Sequence, residues 1–123
     1  MSIRVLIADD QELVRAGLKM ILEAQPGIEV VGVAADGQEA LQLAHELQPD
    51  VCLFDIRMPK VDGIEATRQL AGPDVEDPMK VVVITTFDLD EYVHGALKAG
   101  ARGFLLKDAG PELLVQAIAA AAK

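Results

Sequence analysis

Five residues carry functional groups where the sequence turns from apolar to polar. Asp9 and Asp10 follow "IRVLIA", Asp55 follows "VCLF", Thr85 closes "KVVVIT", and Lys107 follows "GFLL". Two adjacent carboxylates at the end of an apolar run repel each other and are costly to desolvate, so a cation is expected beside them. Hard carboxylate oxygens suit Mg2+, which binds through one or two carboxylates plus phosphate oxygens and keeps several waters. An ammonium and a hydroxyl around the same cluster complete what the three peripheral oxygens of a phosphoryl group require. The carboxylate of Asp55 could then itself be the nucleophile, giving an aspartyl-phosphate.

Each residue also has a plainer reading. Asp9 or Asp10 could cap a helix, and Glu12, three residues after Asp9, would complete a capping box. Asp55 could serve the turn that leads to Pro59. Thr85 could be an ordinary strand residue and Lys107 an exposed charge. The plainer readings weaken when all five residues are placed at the ends of the strands they follow.

Those strands are nearly continuous apolar runs: 3–8, 28–34, 51–54, 80–86 and 103–106. Such runs indicate a parallel sheet covered on both faces. Between them lie helical patterns. Leu13, Leu18, Ile21 and Leu22 form the apolar stripe of the first, and Ala40, Leu41, Ala44 and Leu47 that of the second. "DGIEATRQLA" follows Pro59, "LDEYVHGALKAG" runs to a stop at Gly100, and "GPELLVQAIAAAA" opens with Pro111 near its first turn. Five strand-then-helix units predict a single doubly wound α/β domain over residues 1–123. Ligands of such sheets bind beyond the carboxyl ends of the strands. Asp9, Asp10, Asp55, Thr85 and Lys107 fall there, while Asp36, in "ADGQEA", reads as a helix cap. Residues 71–79 read as a surface loop.

Composition narrows the function. The chain has 123 residues, 51% hydrophobic and 25% charged, with only 3% aromatic, so its core must be aliphatic. Its net charge of −9, from 20 acidic and 11 basic residues, argues against binding nucleic acid or anionic lipid by itself. Cys52, alone in an apolar run, reads as a buried hydrophobe, and one cysteine fits a reducing cytoplasm. No segment has the length of a membrane span. His45 and His94 read as exposed helix residues rather than metal ligands.

Taken together, "ADDQ", "DIRMPKVDG", "ITT" and "GFLLKD" resemble the receiver domain of bacterial two-component response regulators over the whole chain. The resemblance implies a flavodoxin-like (βα)5 sandwich with strand order 2-1-3-4-5. It implies that Asp55 accepts phosphate from a sensor histidine kinase. Mg2+ would be bound by Asp10, Asp55 and the backbone carbonyl of Arg57, with Asp9 helping through water. Thr85 and Lys107 would hold the phosphoryl oxygens, and Thr85 with Phe104 would form the switch that remodels the surface of the fourth helix, fifth strand and fifth helix. Without the resemblance, Phe104 reads as core packing on a short central strand.

"DIRMP", "TTFDLDEYV" and Asp108 in place of a proline after Lys107 resemble the NarL/FixJ subfamily, with its LuxR-type output. That likeness implies a C-terminal DNA-binding helix-turn-helix domain beyond Lys123, and leaves open whether the Lys107–Asp108 peptide is cis. A homodimer formed on phosphorylation is a further expectation. Arg57 and Phe87, two residues beyond Asp55 and Thr85, are placed to screen a phosphoryl group from water.

Two rivals remain. A Mg2+-dependent phosphatase or phosphotransferase of haloacid-dehalogenase type shares the aspartyl-phosphate chemistry. It would place its acidic pair two residues apart after the first strand and add a cap, neither of which is found here. A stand-alone receiver that docks on a protein partner is the other. As a receiver, alone or joined to an output domain, the chain is expected to be phosphorylated and slowly lose the group, whereas turnover of small phosphate esters would mark the enzyme.

Overall fold

A computed structural model of the chain describes residues 2–86 and 90–123. Strands and helices alternate: β1 (Ile3–Ala8), α1 (Glu12–Glu23), β2 (Ile28–Ala34), α2 (Gly37–Leu47), β3 (Val51–Asp55), α3 (Gly63–Ala71), β4 (Val81–Thr85), α4 (Asp90–Lys98), β5 (Gly103–Leu106) and α5 (Pro111–Ala122). All strand pairs are parallel and the order is β2-β1-β3-β4-β5. The fold expected from the apolar runs is the one observed. The third strand reaches one residue further than expected and includes Asp55, and the fourth is shorter at both ends.

Strand side chains alternate between two cores. Leu6, Cys52, Phe54, Val81 and Val83 pack under α2, α3 and α4 with Ala40, Ala44, Ala66, Leu70 and Ala96. Val5, Ile7, Leu53, Val82 and Ile84 pack under α1 and α5 with Leu18, Leu22, Leu114 and Ile118. β1, β3 and β4 are interior to the sheet and buried on both faces, which is why their sequences are apolar without alternation. Small helix residues, alanines above all, let helices approach a sheet that has few aromatics to cover.

Two expectations are corrected. Leu13 was placed on the buried stripe of the first helix but is 87% exposed. It lies five residues before Leu18, about 140° around the helix from it, so it cannot share that face. Phe104 was placed on a central strand. β5 is an edge strand, and Phe104 is half-buried against the α2–α4 core.

Helix ends follow local chemistry. Asp36 and Asp62 cap α2 and α3, accepting from the N–H groups of Glu39 and Glu65 at 2.8 Å. α5 starts with Pro111 at its first turn, and its last carbonyls accept from the cations that precede β4 and β5: Lys80 on Ala122 at 2.8 Å and Arg102 on Ala121 at 3.3 Å. No helix among the described residues is long and apolar enough to cross a membrane.

Candidate functional site

Register brings the site residues together. Ala8 is level with Phe54, so Asp9 is level with Asp55. Asp55 pairs with Ile84, one residue before Thr85, and Thr85 pairs with Leu106, one residue before Lys107. Alternation then sorts the side chains. Ile7, Leu53 and Leu105 face α1 and α5, and Asp9, Asp55 and Lys107, each two residues later, continue that face. Thr85 follows Val83, whose ladder partner is Phe104, on the opposite face. A single pocket at the carboxyl ends of the strands is lined by Asp10, Gln11, Asp55, Arg57, Thr85 and Lys107, among others.

Within the pocket, the Lys107 Nζ lies 2.8 Å from Asp9 Oδ2 and 3.2 Å from Asp55 Oδ2. It also approaches Gln11 Oε1 at 3.4 Å. Asp9 and Asp55 are buried, and Asp10 is exposed. Asp9 is held on every side. Its N–H donates to the Ala34 carbonyl at 3.1 Å, its Oδ1 accepts from the Gln11 N–H at 2.8 Å, and its carbonyl accepts from Arg15 Nη1 at 2.7 Å. The capping box with Glu12 is not formed; Gln11 stands at the N-cap of α1 without a side-chain cap bond.

Burial, then the neighbouring Asp9 carboxylate, pushes the Asp55 carboxyl up to about 6, against the opposing pull of Lys107. Lys107 behaves in the complementary way. Burial acts to lower its pKa, but bonds and attraction to Asp9 and Asp55 outweigh it and hold the ammonium above its ordinary value. The pocket therefore carries more negative charge than one ammonium compensates. Cys52, by contrast, is inert: burial pushes its thiol up to about 12.

The loop after β3 is fixed by close backbone contacts. Gly63 N–H donates to the Ile56 carbonyl at 2.8 Å, and a Cβ on Gly63 would lie 1.9 Å from the Asp55 carbonyl oxygen. Gly37, at the start of α2, is packed as tightly: a Cβ there would lie 1.7 Å from the Val61 carbonyl oxygen. Between them Lys60 adopts φ 72°, with the Val61 N–H donating to the Pro59 carbonyl at 2.8 Å. Such a left-handed conformation is retained only where its surroundings enforce it. From this loop, Arg57 Nη2 donates to the Tyr92 hydroxyl of α4 at 3.1 Å.

The donor set fits a hard cation. One oxygen from each of Asp9, Asp10 and Asp55 lies within 4.8 Å of the others. Asp9 Oδ2 is buried, with the Lys107 ammonium 2.8 Å away as its counter-charge. Three carboxylates without thiol or imidazole suit an ion of the Mg2+ class.

The family model for the response regulator receiver domain matches residues 5–119. The chain belongs to this family. Over 98% of its length, the receiver domain is 50% identical to the transcriptional regulatory protein LiaR of Bacillus subtilis, covering 56% of that protein. Over 94% of its length it is 46% identical to the response regulator GacA of Pseudomonas aeruginosa, covering 53% of that protein. It superposes on the signal receiver domain of NarL from Mycobacterium tuberculosis with a TM-score of 0.92 and 38% identity, covering 98% of this chain and 96% of that one. These relatives agree with the NarL and LuxR type expected from "DIRMP" and Asp108. The chain spans about half the length of the curated relatives it matches.

The receiver domain brings Asp9, Asp10, Asp55, Thr85 and Lys107 to one place, as their positions at strand ends predict. Arg57 lines the same pocket, whereas Phe104 stands away from it on the edge strand. The Lys107–Asp108 peptide is trans. Phe87 lies outside the described residues. Sequence reasoning missed Gln11, Arg15, Gly37, Gly63 and Tyr92. Arg15 carried a signal, since four residues on a helix return its side chain toward Gln11 and the end of β1.

Proposed function

We propose that Asp55 accepts a phosphoryl group from the phosphohistidine of a sensor histidine kinase, and that phosphorylation switches a transcriptional output. The observation that carries this reading is the buried Asp55 carboxylate set between Asp9, Asp10 and the Lys107 ammonium in one pocket. An Asp55 oxygen attacks phosphorus, the P–N bond breaks, and its electron pair stays on the donor imidazole, which takes up a proton. Mg2+ held by Asp10, Asp55, the backbone carbonyl of Arg57 and, through water, Asp9 would supply charge neutralisation at the crowded oxygens. Lys107 then holds one phosphoryl oxygen by a charge-assisted bond and Thr85 donates its hydroxyl to another.

Phosphorylated Asp55 carries about −2 charge and three strong acceptors. As Thr85 moves toward it, Phe104 turns inward on the same face of the sheet, and the surface of α4, β5 and α5 changes. A full switch from 1:99 to 99:1 needs about 5.5 kcal/mol, whereas allosteric couplings are typically about 1–3 kcal/mol. The isolated domain is therefore a leaky switch, completed by dimerisation or by a helix-turn-helix output domain in a longer protein. The chain itself works in the cytoplasm, binds no nucleic acid alone, and signals rather than turning over a substrate.

Intact mass after incubation with Mg2+ and a small phosphodonor tests this function. One phosphoryl adduct is expected, absent from Asp55→Asn and absent without Mg2+. No adduct under conditions that modify another receiver would overturn it.

A further inference from the structure

Asp10 is the exposed carboxylate of the pocket, yet the peptide groups on both sides of it are held. The group before it carries the Asp9 carbonyl, which accepts from Arg15 Nη1 at 2.7 Å. The group after it carries the Gln11 N–H, which donates to Asp9 Oδ1 at 2.8 Å. A peptide group is rigid and planar, so bonds to this carbonyl and this N–H fix the two planes that place the Cα of Asp10. The half-buried Arg15 is anchored in turn, its own N–H donating to the Gln11 carbonyl at 3.0 Å in the first turn of α1.

We propose that Arg15 is a positioning residue of the Mg2+ site: by holding the Asp9 carbonyl, it keeps Asp10 beside the other two carboxylates. The inference rests on the Mg2+ site proposed above. Repulsion makes such a device useful. One oxygen from each of Asp9, Asp10 and Asp55 lies within 4.8 Å of the others, and Lys107 lies against Asp9 and Asp55. Asp9 and Asp55 are buried, so Asp10 is the member of the cluster that repulsion can drive into water. A ligand that has swung out must be ordered again when a cation binds, and that ordering is subtracted from the affinity. The bond from Arg15 has a charged donor, which makes it stronger than a bond between neutral groups. Charge alone would act the other way. A guanidinium bonded to the peptide that joins Asp9 to Asp10 repels a divalent ion held by those residues. If Arg15 were only a nearby charge, its removal would tighten Mg2+ binding; as a positioning residue, its removal weakens it.

The sign of that change is the test. Mg2+ is titrated into the metal-free full chain, and the backbone amide signals of Asp10 and Gln11 report the affinity by NMR. Arg15→Met keeps a long, helix-forming side chain and removes both donor and charge. It should bind Mg2+ several-fold more weakly than wild type. Arg102→Met loses another bond from an arginine to a carbonyl, that of Ala121 at the far end of α5, and should keep the wild-type affinity. A second measurement needs no variant. Coupling is reciprocal, so a bond that favours Mg2+ is strengthened by Mg2+, and hydrogen exchange of the Arg15 guanidinium should slow several-fold when the ion binds. Binding by Arg15→Met as tight as wild type or tighter, an equal loss in both variants, or guanidinium exchange unchanged by bound Mg2+ would overturn the inference and leave the Mg2+ site standing. No Mg2+ binding in wild type would overturn both.

Discussion

Lys107 lies closer to Asp9, at 2.8 Å, than to Asp55, at 3.2 Å. The ammonium proposed to hold the phosphoryl group is thus also the counter-charge of a second buried carboxylate. Removing one partner of a buried pair leaves an uncompensated charge and costs about 3–5 kcal/mol. Lys107→Ala should lose about that much in urea unfolding at neutral pH in the presence of chelator. Mg2+ should restore part of it, because a divalent ion supplies the missing charge. A variant as stable as wild type in chelator would show that Asp9 is compensated elsewhere.

Asp55 gives the metal-free domain a distinctive pH dependence. Its folded pKa, about 6, lies above the ordinary 3.8, so the folded state binds the proton more tightly than the unfolded state does. The contribution of Asp55 to stability is therefore fully present below about pH 4 and lost as pH rises through about 6. At about 1.4 kcal/mol for each tenfold change in proton affinity, the loss is roughly 2–3 kcal/mol. Comparing unfolding of wild type and Asp55→Asn in chelator from pH 4 to 7 isolates it. The variant should become the more stable of the two toward pH 7, and a constant difference would contradict the raised pKa.

Gly63→Ala is expected to damage the site through the backbone. The new methyl would stand 1.9 Å from the Asp55 carbonyl oxygen, so α3 must shift away from the end of β3. Overpacking of this kind costs roughly 1–3 kcal/mol or more. Phosphodonor mass assays should show a larger loss of adduct than thermal unfolding alone explains, since the loop that carries Arg57 moves with the helix.

Phe104→Ala should separate chemistry from response. Half-burial on an edge strand limits its stability cost to about 1–2 kcal/mol, less than for a buried phenylalanine. The Asp55 adduct should form as in wild type, while the phosphorylation-dependent change in sedimentation should disappear. If that change persists, the aromatic switch is wrong.

Much of this structure was legible because parallel strands advertise themselves. The run from Val81 to Thr85 is buried throughout, and the polar residues at the ends of such runs mark the edge where ligands bind. That logic places Asp9, Asp55 and Lys107 without any knowledge of their contacts. What stayed hidden depended on rotation and tertiary approach. Leu13 was misplaced because an apolar residue in the first turn of a helix need not share its buried face. Gly37 and Gly63 carry no sign of the carbonyls pressed against them, and nothing in the sequence places the Tyr92 hydroxyl against Arg57. The adjacency of Asp9 and Asp10 concealed their difference, one buried and held by Gln11 and Arg15, the other exposed.

The alternation that sends Asp9, Asp55 and Lys107 to one face and Thr85 and Phe104 to the other has a consequence for how substitutions are felt. The sheet partitions the molecule, so that side chains under α1 and α5 back Asp9, Asp55 and Lys107, while side chains under α2, α3 and α4 back Thr85 and Phe104. The two sets of residues share no core. A buried substitution on one side of the sheet therefore reaches the other set of residues only through the few side chains at the rim where the partition ends.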